Sequence, residues 1–293
     1  MDLQHILVVI EPDSDHQPAL DRAKQVAKLA DCRLELILVD HTPYLEDGYY
    51  FEPTRAQELR QEHGERRLQE LEALAEPLRT QGLEVSCTAA WGNPASLEIA
   101  SRVEAAKPSL VIKATRHHNK VSRLLLSNED WQLVRHCSEP LLLVKTQPWS
   151  ADPQFLVAVD PYHIHDKPAS LDAKLINGAK SLAAISGGDV HLFHCDWIPP
   201  MAGIYSLIHD QENDVKVLKA IAETHAVPEL NCHWSAEEIE DSLPATAEKI
   251  GASVVVMGAM SRSRLDEFLI GSTAEKMLDV LDCDLLLLSP DEN

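Results

Sequence analysis

Val111-Ile112-Lys113-Ala114 leads through a loop and a helical stretch to Leu141-Leu142-Leu143-Val144. Val255-Val256-Met257-Gly258 leads in the same way to Leu285-Leu286-Leu287-Leu288. The two stretches align without a gap at an offset of 144 residues. Chance hydrophobicity matches strands, but it rarely matches the loop and helix lengths between them as well. The chain is therefore read as an internal duplication.

Working outward, each half repeats one order of elements. Strand-like apolar runs in the first half are Ile6–Ile10, Leu34–Val39, Leu83–Ala89, Ser109–Ala114 and Leu141–Val144. Those of the second half are Phe155–Val159, Val190–Cys195, Leu230–Trp234, Ser253–Met257 and Leu285–Leu288. Between them lie stretches of helical spacing, such as Ala19, Ala23, Val26, Ala27 and Ala30 within Pro18–Ala30. A second such stretch, about 55–81, is long, charged and stopped by Gly82. Continuous apolar strands separated by helices predict an α/β fold, with a parallel sheet covered on both faces in each half. The boundary falls at Pro148–Pro153, giving domains over 1–147 and 154–293 joined by a linker over 148–153.

Composition narrows the function classes. The chain's 293 residues suffice for two domains of ordinary size, and only 11 Gly leave little room for low-complexity segments. A net charge of −21 repels phosphate backbones and anionic lipid, so neither nucleic acid nor a membrane is an expected partner. The first half carries 17 Lys and Arg against 23 Asp and Glu, the second 9 against 24, so most of the excess lies in the second. No apolar run reaches bilayer-spanning length, and no basic leader precedes the first strand, so the expected compartment is the cytoplasm. Six scattered cysteines, none in C-x-x-C spacing, predict neither a disulfide framework nor a zinc ribbon.

In open parallel sheets a ligand sits beyond the carboxyl ends of strands, where strand order reverses. The loop to read is therefore Gly258-Ala259-Met260-Ser261, continuing to Ile270-Gly271-Ser272-Thr273 and a helix from Ala274. Glycines at 258 and 271 would let backbone approach an anion closely and take up positive φ. Ser272 and Thr273 open a helix whose free N–H groups and positive dipole end face outward. Ser272-x-x-Glu275 also reads as a capping box, which needs no ligand.

With Gly258, Ser261, Gly271 and Ser272, this loop resembles the G-x2-G-x9-G-[ST] motif of nucleotide-binding members of the universal stress protein family, with serine in place of the second glycine. The whole chain is similar to the tandem, E-type arrangement of that family. The resemblance implies two Rossmann-like domains of the adenine nucleotide alpha hydrolase type, each a five-stranded sheet in the order 3-2-1-4-5. It also implies an ATP-like ligand, with Mg2+ if any metal, in the second domain only. Phosphates would rest on Gly271, Ser272 and Thr273, and the ribose and phosphates would pass Gly258 and Ser261. Asp160 matches the family's acid after the first strand, and Cys195 the residue whose backbone meets adenine. Arg262 and Arg264 could add charge to the phosphate end.

The first half departs from this motif. Ala114, His117, Ser127 and Asn128 stand at the four positions, Glu11 replaces the Asp, and Glu129 and Asp130 bring carboxylates into the first turn of the helix. Its loop is nevertheless basic, with Arg116, His117, His118, Lys120 and Arg123, so another small anionic or amphiphilic ligand stays open there.

Two tempting signals are read as structure. Ser186-Gly187-Gly188-Asp189 follows a helix and enters a strand, which marks a helix C-cap rather than a pyrophosphate loop. His163-x-His165 near Asp160 has metal-ligand spacing, but fourteen histidines make such coincidences common. Neither a nucleophile elbow nor a Walker lysine occurs, so at most weak ATP hydrolysis is expected. The reading is thus a stress-response regulator that binds nucleotide, with an interaction protein having two degenerate pockets as the rival.

The fifth strands, Leu141–Lys145 and Leu285–Ser289, are edges that need pairing, and single-domain relatives dimerise there. The resemblance therefore implies an intramolecular pseudo-dimer, with protein partners unidentified. Cysteine pairs introduced along these two strands should crosslink within one chain on oxidation. Failure of every pair would remove the pseudo-dimer.

Overall fold

The computed structural model describes residues 1–45, 52–115, 128–162, 170–197, 211–259, 276–277 and 280–290. The chain divides into two compact units, Asp2–Thr146 and Gln147–Asn293, here domain one and domain two.

Domain one runs β1 (His5–Val9), α1 (Pro18–Ala30), β2 (Arg33–Asp40), α2 (Pro53–Thr80), β3 (Val85–Trp91), α3 (Ala95–Ala106), β4 (Leu110–Ala114), α4 (Asn128–His136) and β5 (Leu141–Val144). Domain two runs β6 (Gln154–Ala158), α5 (Ser170–Ser186), β7 (Asp189–Cys195), α6 (Gln211–Thr224), β8 (Cys232–Ser235), α7 (Ile239–Ile250), β9 (Ala252–Gly258) and β10 (Asp284–Leu288). Strands lie in the order β3-β2-β1-β4-β5 in the first domain and β8-β7-β6-β9-β10 in the second. Within each domain the paired strands are parallel. Each domain is thus the Rossmann-like α/β unit in 3-2-1-4-5 order that the resemblance implies.

Parallel pairing forces each connection across a face of the sheet. Right-handed crossovers put α1 and α2 on one face of domain one and α3 and α4 on the other, and α3 packs against α4. Strands covered on both sides need apolar residues in sequence rather than alternation. All five residues of β1 and of β10 are accordingly buried. Each such Leu, Ile or Val contributes about 1.5–3 kcal/mol through the water it sheds. No helix among the described residues is long and apolar enough to cross a membrane.

Local chemistry explains the helix ends. Pro18 and Pro53 open α1 and α2, where a missing N–H costs nothing. Gly187 ends α5 with φ +74°, and the Gly188 N–H donates to the Ala183 carbonyl at 3.1 Å, as expected of a C-cap. Two strands start two residues later than their apolar runs suggest, β3 at Val85 and β8 at Cys232. Glu229–Asn231 form a 3-10 turn ahead of β8. There the Asn231 amide donates to the Val190 carbonyl at 3.0 Å in place of ladder pairing, and Leu230 stands 83% exposed.

The expected linker contains a core residue. Trp149 is buried, meets Phe155 edge-on at 5.6 Å and donates its indole N–H to Asp284 at 2.8 Å. Asp284 itself is buried at the start of β10.

Candidate functional site

In domain two the strand order reverses between β6 and β9, and residues from three adjacent strands meet at the carboxyl edge. Gly258 is the last residue of β9, Cys195 the last of β7, and Asp160 lies two residues beyond β6. Gly258 stands in register with Leu288 of β10. Of the sequence-predicted site residues, the structure therefore brings Asp160, Cys195 and Gly258 to one edge of the sheet. Ser261, Gly271, Ser272 and Thr273 lie outside the described residues, as do Glu275, Arg262, Arg264, His163 and His165.

Gly258 has a different reason to be glycine from the one anticipated. Its backbone belongs to the strand rather than to the positive-φ region. A Cβ there would stand 2.9 Å from Cδ2 of Leu171, a buried residue in the first turn of α5. The missing side chain lets the start of α5 lie close over the end of β9.

Cys195 turns its thiol to the opposite face from the neighbouring His194. Its Sγ donates to the Glu237 carbonyl at 3.0 Å, and burial pushes the thiol pKa up. A reactive thiolate is therefore not what this position offers.

Asp160 is half-buried, and its backbone N–H donates to Asp172 Oδ2 at 3.0 Å. Asp172 is a buried acid in the first turn of α5, where the helix dipole favours negative charge. It occupies the N-terminus of that helix, so an incoming anion must find its donors elsewhere. Sequence reading missed this residue, although an acid in the first turn after the β6 loop was the available signal.

Tyr162 continues the rim. Its hydroxyl donates to Asp214 near the start of α6 and accepts from the Asn213 amide at 3.2 Å. Burial and the Asp214 carboxylate push the phenol up to about 12. Tyr162 and Trp197, each 40% exposed, put aromatic surface beyond β6 and β7.

The same place in domain one is filled by the protein's own charges. Lys113 of β4 reaches Glu11 at 3.8 Å and donates to the Ala114 carbonyl at 3.1 Å. Gln17 ties the loop after β1, accepting from the Glu11 N–H at 3.1 Å and donating to the Glu11 carbonyl at 2.7 Å. Register places Met257 in domain two where Lys113 stands in domain one. A lysine inside a buried strand was the signal, and it went unread. His117 and Ser127 lie outside the described residues; Asn128, Glu129 and Asp130 open α4.

A second cluster closes the β2 side of domain one. Buried Arg67 of α2 donates to Asp40 at 2.7 Å, to both carboxylate oxygens of Asp13 at 2.9 and 3.0 Å, and to Glu70 at 2.8 Å. His63 donates to the same Asp40 oxygen at 2.8 Å. The Trp91 ring packs beside His41 at 5.4 Å and His63 at 5.6 Å. Burial pushes Asp40 up, but the bonds from His63, Arg67 and the His41 N–H outweigh it and hold the carboxyl below its ordinary 3.8.

Comparison with known proteins agrees with this geometry. The family model described as "Universal stress protein family" matches residues 3–145 and again 154–289. The chain is 29% identical to Universal stress protein E of Salmonella typhi, across 99% of this chain and 95% of that protein. It is 28% identical to the Escherichia coli K12 protein of the same name, with the same coverage. Among solved structures, a putative universal stress protein of Pseudomonas aeruginosa UCBPP-PA14 superposes with TM-score 0.76 at 27% identity, over 99% of this chain and 94% of that one. A universal stress protein from Archaeoglobus fulgidus shares the fold at TM-score 0.72 and 15% identity, over 99% of both chains. With two matched domains and the strand order both have, the chain belongs to the universal stress protein family, as a tandem member.

Proposed function

We propose that domain two binds an adenine nucleotide, ATP with Mg2+, and that domain one does not. One observation carries the reading: Asp160, Cys195 and Gly258, distant in sequence, assemble at the strand-order reversal of domain two. Asp160 offers a carboxylate to a ribose hydroxyl or to a phosphate-held Mg2+. Cys195 offers backbone to adenine. Gly258 and Ser261 would line the path to Gly271, Ser272 and Thr273, whose N–H and hydroxyl donors suit phosphate. Asp172 already fills the N-terminus of α5, which leaves that loop as the anion site. The bound nucleotide serves regulation of a cytoplasmic stress response rather than rapid turnover, since no activated nucleophile stands there among the described residues.

Domain one supports the rival reading for its own half. Its Glu11–Lys113 pair and Gln17 occupy the corresponding crevice, as in an interaction module that needs no ligand.

Titration calorimetry with ATP and Mg2+ tests the asymmetry. Gly271→Val should weaken binding at least about a hundredfold, through loss of two charge-assisted contacts of about 1.5–3 kcal/mol each. Ser127→Val should leave affinity unchanged, with circular dichroism confirming that both variants fold. Equal loss in both would mean two working sites. No loss in Gly271→Val would reduce the loop to a helix cap.

A further inference from the structure

A row of three polar side chains crosses three adjacent strands of domain two: Gln154 of β6, His191 of β7 and His233 of β8. His191 shares a face of β7 with Cys195, whose thiol meets Glu237 and Ser242, so the row lies on the side that α7 covers. The donors of the row can be fixed from one end. The Gln154 amide nitrogen donates to the Asp152 carbonyl at 2.9 Å, so its oxygen is the atom 2.8 Å from His191 Nε2. That oxygen only accepts, so His191 carries its proton on Nε2 and keeps a lone pair on Nδ1. His233 Nε2, 2.9 Å from that lone pair, must then carry the proton between the rings. The ring centroids stand 5.2 Å apart, so the two imidazoles meet by their nitrogen edges.

This arrangement limits the protons that the row can hold. One proton added at His233 Nδ1, which lies outside the chain, keeps every bond in place. A second has only His191 Nδ1 to go to, where it would point at the His233 Nε2–H. Both rings are half-buried, and burial pushes each below the ordinary 6.5. Among the described residues, Asp189 at the start of β7 favours charge on His191, while His191 and Lys249 of α7 oppose it on His233.

The duplication shows that a polar row belongs to the fold but that its chemistry differs. Val9 pairs with Ile37 as Ala158 pairs with Phe193, so His5 corresponds to Gln154 and Glu35 to His191. Leu38 pairs with Ala89 as His194 pairs with Trp234, so Thr88 corresponds to His233. In domain one the middle residue is a carboxylate, bonded by Arg102 at 2.6 Å and Thr88 at 2.9 Å. In domain two the middle residue is a base, and the row is neutral. Its last member sits on β8, the outermost strand of the order in that domain.

We propose that the Gln154–His191–His233 row is an acid-released clasp on the edge strand of domain two. Closed, it has room for one added proton; opened, with β8 away from β7, it takes two. The sign follows from the burial of both rings. Their folded values lie below 6.5, so the clasp is complete above that pH and is lost as pH falls from 6.5 through the folded values. Release bares the backbone groups by which an edge strand pairs with another chain.

Native-state hydrogen exchange of the full-length protein, read by NMR as protection factors, tests the clasp. Each proton taken up on opening lowers protection by up to about tenfold per pH unit. Below pH 6.5 the β8 amides bonded to β7 should therefore lose more than about tenfold per unit, because two protons enter. They should also exchange faster than the amides of β9 at every pH, since the edge opens without the rest of the domain. His233→Thr, which installs the domain-one residue, should reduce the dependence to about tenfold per unit or less. If that variant does not fold, His191→Gln should show the same ceiling. A loss no steeper than tenfold in the natural protein, or an unchanged steepness in the variant, would overturn the two-proton clasp. Equal protection of β8 and β9 at every pH would overturn release of the edge.

Discussion

Arg67→Met should destabilise domain one by about 3 kcal/mol at neutral pH, the lower end for removing one partner from a buried ion pair. The guanidinium is the one cation bonded to both Asp13 and Asp40. Methionine keeps much of the stem's packing but leaves the Asp40 carboxylate, whose side chain is 15% exposed, with only His63 and the His41 N–H. Acid should erase the difference. Asp40 is held below its ordinary 3.8 in the folded protein, so its contribution is complete above that value and disappears as pH falls through the depressed folded value. Urea unfolding followed by tryptophan fluorescence should therefore separate natural and variant proteins at pH 7 and bring them together as pH falls through the depressed folded value. Equal midpoints at pH 7 would show that the cluster stabilises nothing.

Gly188→Ala should cost at least about 3 kcal/mol, because the clash is with backbone and not with a side-chain end. A Cβ there would stand 2.1 Å from the Pro153 carbonyl oxygen and 2.9 Å from the Phe155 ring. Pro153 cannot retreat, since its carbonyl accepts from the Asp189 N–H at 3.1 Å where β6 and β7 begin to pair. Gly187→Ala meets open space but keeps a positive φ, so about 1 kcal/mol is expected there. Thermal unfolding of the two variants should show this ladder. Equal losses would mean that the helix cap, and not the approach of Pro153, dictates both glycines.

How much was legible follows from where the information lies. Parallel strands advertise themselves as unbroken apolar runs, so their borders were readable to within two residues throughout. The run from Leu230 begins two residues before its strand because Asn231 bonds the Val190 carbonyl, which apolarity does not encode. That Gly258, Asp160 and Cys195 stand at or just beyond strand ends was legible from the apolar runs that precede them. Arg67 was not, because its partners Asp13 and Asp40 lie 54 and 27 residues away and meet it only through the fold.

The burial of Trp149 bears on how the tandem arose and how it could be undone. The segment between the two repeats packs with the downstream copy, whose β10 carboxylate receives the Trp149 indole N–H. A scission at the apparent repeat border, just before Gln154, would therefore not restore an ancestral domain. It would produce an amputated one, lacking a core ring and a donor to buried Asp284. The border of the sequence repeat and the border of the compact unit therefore differ, and a split chain whose second half folds should begin before Pro148.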